Sequence, residues 1–86
     1  MVSKEIKFTQ LEIMNAKLCL MVVEKANFYK AGINIAHKEK TANAKSLIGL
    51  ISLALKKGQV FNVSASGKDE IEAIEGICDL LKSFDK

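Results

Sequence analysis

Groups able to do covalent chemistry are few in this chain, and their neighbours limit what each can do. His37 is the single histidine, and Cys19 and Cys78 are the two cysteines. An imidazole can accept a phosphoryl group, shuttle a proton or hold a metal, and a thiolate can act as a nucleophile. Both cysteines fall inside apolar periodic stretches, the setting of buried free thiols in a cytosolic protein. One histidine and two distant cysteines make no metal constellation. His37 opens the segment His37-Lys38-Glu39-Lys40, which reads as a hairpin turn. Two further residues stand at helix starts. Asn15 precedes an apolar, helix-forming stretch and Ser46 precedes Leu47-Ile48, so each side-chain oxygen can accept from amides of a first helical turn.

All 13 basic residues are lysines, against 10 acids, for a formal charge of +3. Without arginine no planar fork exists for phosphate or carboxylate, so an anion must be met by lysine point charges, backbone N–H groups and hydroxyls. Acids crowd the end of the chain (Asp69, Glu70, Glu72, Glu75, Asp79, Asp85), which leaves residues 1–68 strongly basic. A basic surface facing an acidic partner follows, with solvation of the lysines as the plain alternative. A nucleic-acid module would carry exposed aromatics and clustered arginines. This chain has four Phe, one Tyr and dispersed lysines, so direct nucleic-acid binding is not expected.

The elements that must position these residues are legible in the periodicity. At 86 residues, with 49% hydrophobic and 27% charged, residues 1–86 form one globular domain. Ile6 and Phe8 alternate with Lys7 and Thr9, predicting a strand over about residues 4–10. A helix follows from Asn15 or Ala16 to Asn27. Strands at 33–36 and 41–43 flank the hairpin turn. Ser46 starts a short helix over 47–53 that ends before Gly58. A strand follows at 60–65, then a helix carrying Ile71, Ile74, Ile77, Cys78, Leu81 and Phe84 at helical spacing. The order βαββαβα predicts an α+β fold with helices on one face of an antiparallel sheet. The longest apolar run, residues 18–23, is far short of the ~20 residues a membrane span needs. The N-terminal residues show no secretory h-region, and the expected location is cytoplasmic.

Several segments resemble one known family. Asn43-Ala44-Lys45-Ser46, followed by Gly49, Ser52-Leu53 and Lys57-Gly58, looks like the regulatory-serine segment of HPr, the phosphocarrier of the bacterial sugar phosphotransferase system. Ser64-Ala65-Ser66-Gly67, followed by Asp69-Glu70 and Ala73, matches it again at the right spacing. The resemblance spans essentially the whole chain and implies the HPr-like open-faced β-sandwich, a four-stranded antiparallel sheet covered on one face by three helices. It fails in one place. Where the family carries Gly-(Ile/Leu)-His-Ala-Arg-Pro, this chain reads Ile13-Met14-Asn15-Ala16-Lys17-Leu18. An amide has no lone pair of imidazole basicity and forms no phosphoramidate, so the phosphocarrier reaction should be absent and no catalytic residue remains.

The Crh proteins of that family also lack the histidine and keep the regulatory serine, although they retain the Ala-Arg-Pro that this chain lacks. The resemblance implies a non-enzymatic, non-catalytic protein of the phosphotransferase system and of carbon catabolite regulation, acting by protein–protein contacts. Ser46 is then the phosphorylation switch. Lys17 and Lys45 supply charge, and Leu20, Leu47, Ile48 and Ile51 form an apolar docking patch. The implied partners are HPr kinase/phosphorylase, the catabolite control repressor or other phosphotransferase-system components. A monomer is expected, with no cofactor, no metal and no membrane. Two other functions compete. One is an unregulated decoy or scaffold that occupies the same partners. The other is a phosphocarrier whose phosphoacceptor has moved, for which His37 is the available imidazole.

Overall fold

The computed structural model describes residues 1–85. The chain runs β1 (Val2–Lys7), α1 (Ala16–Ala26), β2 (Gly32–His37), β3 (Lys40–Asn43), α2 (Leu47–Leu53), β4 (Val60–Ser66) and α3 (Glu70–Phe84). The expected order is therefore the observed one. The strands form one sheet in the order β1-β4-β2-β3 with every neighbouring pair antiparallel. Alternation along the strands decides which face is covered. Ile6, Ile33, Ile35, Phe61, Val63 and Ala65 point to the helices and are buried. Asn34, Asn43, Asn62 and Ser66 point to the open face.

The helices cover that apolar face in a single layer. α3 crosses β4 and β1, α2 packs on β3, and α1 lies against both other helices. Each presents a stripe at 3–4-residue spacing: Cys19, Val22 and Ala26 from α1, Leu50 and Leu53 from α2, and Ala73, Ile74, Ile77, Cys78 and Leu81 from α3. Phe8 and Phe61 meet in the middle, ring centroids 5.1 Å apart and tilted by 53°, a favoured aromatic geometry. Burial of the Cys19 and Cys78 thiols raises their pKa values, so neither is a ready nucleophile.

The first strand departs from the sequence pattern. It was expected over residues 4–10, but it runs Val2–Lys7, beginning earlier and ending three residues sooner. Phe8 stays buried, and beyond it the backbone turns to meet the end of α3. The Asp85 carboxylate accepts from the amides of Thr9 (2.9 Å), Gln10 (2.6 Å) and Leu11 (2.7 Å), and from the Thr9 hydroxyl (3.0 Å). Amides held by a carboxylate are withdrawn from the ladder. A second carboxylate ties down another loop: Asp69 accepts from the Lys30 and Ala31 amides at 2.9 and 2.8 Å.

Candidate functional site

The loop leading to Asn15 is fastened to the segment after α2. The Met14 amide donates to the Leu55 carbonyl at 2.9 Å, Lys57 to Glu12 at 3.0 Å and Gly58 to Phe8 at 2.9 Å, and Ile13 forms a bridge with Lys56. Asn15 then takes up extended backbone, φ −73° and ψ 177°, and its side chain accepts from the Leu18 amide at 3.0 Å. Its carbonyl accepts from the Cys19 amide at 2.9 Å. The Asn15 side-chain oxygen is thus committed to capping α1. Beneath it, the Cys19 thiol faces the Met14 carbonyl at 3.6 Å.

Ser46 stands at the start of α2 with φ −110° and ψ 112°, and its hydroxyl oxygen accepts from the Gly49 amide at 3.2 Å. The approach to it is a fixed turn, because the Asn43 side chain accepts from the Lys45 amide at 2.9 Å and the Asn43 carbonyl from the Ser46 amide at 2.9 Å. Ser46 is half-buried. Its oxygen acts as an acceptor in the cap, which leaves the hydroxyl proton uncommitted. Lys45 does not lie over it. Its ammonium donates to the Tyr29 carbonyl at 2.9 Å, and its charge helps Lys30 and Ala31 hold Asp69 below the usual carboxylate range. Lys17 is exposed in the first turn of α1.

The apolar residues on this side divide between core and solvent. Leu50 and Leu53 are buried, and Leu47 is half-buried and packs against the core. Ile48 is 81% exposed, and Ile51 (45%), Leu20 (45%), Met21 (40%) and Ile13 (46%) are also open. These residues sit on two helices in contact and on the loop before the first of them. A seven-residue helix on a sheet can bury only one stripe, so the remaining isoleucines of α2 face outward. Ile13 belongs to this exposed set although its sequence pattern gives no sign of it, since a single apolar residue between Glu12 and Met14 fits either orientation. His37 lies at the opposite end of α2, where its Nδ1 is 2.9 Å from the Val60 carbonyl.

Similarity to known proteins supports one lineage. The family model described as "PTS HPr component phosphorylation site" matches residues 2–83. The phosphocarrier protein HPr of Lysinibacillus sphaericus is 37% identical over 68 residues, 79% of this chain and 77% of that protein. The HPr-like protein Crh of Halalkalibacterium halodurans is 34% identical over 77 residues, 90% of this chain and 92% of that one. Among solved structures, HPr-C-His from Thermoanaerobacter tengcongensis superposes with a TM-score of 0.90 at 32% identity, covering 98% of this chain and 94% of its own.

Proposed function

The chain belongs to the HPr family of the sugar phosphotransferase system, and on that premise we propose that it is a non-carrying member that works through regulated protein contacts. Proteins of this family are phosphocarriers rather than enzymes. The observation that carries the proposal is the state of Asn15, which occupies the position of the family's phosphoaccepting histidine. Its side-chain oxygen holds the Leu18 amide, and an amide nitrogen is no substitute for an imidazole. What remains intact is a surface: Ile48 and Ile51 beside Leu20, Met21 and Ile13, all open to solvent, of the kind that marks a protein interface.

Ser46 is the switch in this account. A phosphate there adds a dianion at the edge of the apolar patch, and Lys17, exposed on the neighbouring helix α1, is a basic candidate for pairing with it. Lys45 reaches it for direct pairing only by leaving the Tyr29 carbonyl. The partners are HPr kinase/phosphorylase and the catabolite control repressor or other phosphotransferase-system components, met by a monomer. One observation favours the decoy alternative: the Ser46 oxygen already has a structural task in capping α2, which accounts for a serine there without any kinase.

The non-carrier claim is tested by incubation with enzyme I and phosphoenolpyruvate, followed by intact mass. No added phosphate is expected. An acid-labile phosphate would contradict the claim, and its loss in His37→Gln would locate a relocated acceptor.

A further inference from the structure

We infer that the cleft at the carboxyl end of α2 binds a small phosphorylated polyol. This site is separate from the apolar patch and does not depend on the Ser46 reading. The turn between β2 and β3 and the connection from α2 to β4 border an open cleft of about 570 Å³, a volume within the range of small-molecule sites. Three lysines stand on its walls: Lys38 and Lys40 from the turn, and Lys56 from the connection. None of the three has a carboxylate within 4.0 Å among the described residues. Glu39 is the one acid in the lining, so the wall keeps a net positive charge.

The other polar groups have defined roles. The Val60 carbonyl can only accept, so the proton of the neutral His37 ring sits on Nδ1 at 2.9 Å from it, and Nε2 is left as an acceptor. Gln59 uses its carbonyl oxygen to accept from the Lys56 amide at 3.0 Å, so its NH₂ remains a donor. The Ser52 hydroxyl donates to the Gly49 carbonyl at 2.9 Å, so its oxygen remains an acceptor. Two acceptors and a donor of this kind suit the hydroxyls of a polyol. Three ammonium groups without an arginine fork suit a dianionic phosphate as point charges.

Two turns of the backbone shape the cleft. Lys38 (φ 56°) and Ala54 (φ 51°) are the two non-glycine residues with left-handed backbone among those described, and both line the cleft. Each follows from its own element: Lys38 lies in the two-residue turn of the β2–β3 hairpin and Ala54 caps the end of α2. The carbonyls at the end of α2 oppose an anion. However, that helix has about two turns and its Ile51 carbonyl is taken by the Ala54 amide at 3.2 Å, which weakens that opposition.

The test is an amide chemical-shift titration of the whole chain with glucose 6-phosphate at low salt, with glucose and inorganic phosphate in parallel. Saturable shifts confined to residues 37–40 and 52–60 are expected, with glucose 6-phosphate binding more tightly than either control. The double variant Lys38→Gln/Lys56→Gln should bind at least ~10-fold more weakly while its remaining spectrum stays native. Shifts scattered over all lysines, equal binding of inorganic phosphate, or unchanged affinity in the double variant would each overturn the inference.

Discussion

Ser46 and Gly49 are matched across the first turn of α2: the serine oxygen accepts the glycine amide at 3.2 Å, and a Cβ on residue 49 would lie 3.2 Å from that oxygen and 3.5 Å from Ala42. The cap therefore depends on both residues. Removing the oxygen in Ser46→Ala should cost about 1 kcal/mol of stability. Ser46→Asp retains an acceptor at the cap and should lose less, as chemical denaturation of the two variants beside the wild type will read.

Ala54 ends α2 in the left-handed region, φ 51° and ψ 54°. A β-carbon there is strained by roughly 1–2 kcal/mol, and the larger backbone entropy of glycine returns part of that. Ala54→Gly should raise stability by up to about 1 kcal/mol. A loss on denaturation would show that the methyl group is held by packing.

Gly76 lies in the middle of α3, where alanine would ordinarily gain about 1 kcal/mol. Here a Cβ would overlap the Tyr29 hydroxyl and approach its ring carbon at 2.9 Å and a Lys25 carbon at 3.2 Å. Gly76→Ala should therefore destabilise, by about 1–3 kcal/mol for an overpacked site. It should also alter the emission of Tyr29, the single tyrosine in a chain without tryptophan.

Asp85 carries a pH signature. The amides of Thr9, Leu11 and Gln10 lower its pKa from the ordinary 3.8 to about 2. The unfolded chain therefore takes up this proton first as pH falls. The contribution to stability is complete only above about pH 5 and is lost as the pH falls through 3.8 toward 2. Acid unfolding of Asp85→Asn should lack that component, and the variant should already be less stable at pH 7. Identical acid profiles for the two proteins would show that the clasp is not formed in solution.

Ile48 is 81% exposed, so Ile48→Asp should change stability by no more than ~0.5 kcal/mol. In a pull-down or calorimetric assay against the partner that recognises the patch, the same substitution should abolish binding.

The sequence pattern carried the layout of the fold because each helix and strand shows its own period, and because Asn15 and Ser46 are cap residues at the right offsets. It misplaced the end of β1 because the controlling contact joins Thr9 to Asp85, 76 residues away. The apolar patch was half legible: too many aliphatic residues crowd α2 for all to be buried. Which ones emerge depends on helix rotation, and that places Leu47 against the core and leaves Ile48 outside. The lysine-lined cleft was invisible, since residues 37–40 meet residues 52–59 only after β2, β3 and β4 pair.

Ser46 is proposed to be the switch of a non-carrying HPr-family protein. Intact mass after incubation with HPr kinase and ATP tests this role most directly, with Ser46→Ala in parallel. One added phosphate is expected on the wild type and none on the variant. No added phosphate on the wild type, with the same kinase active on an ordinary HPr, would contradict that role and leave the unregulated decoy as the function.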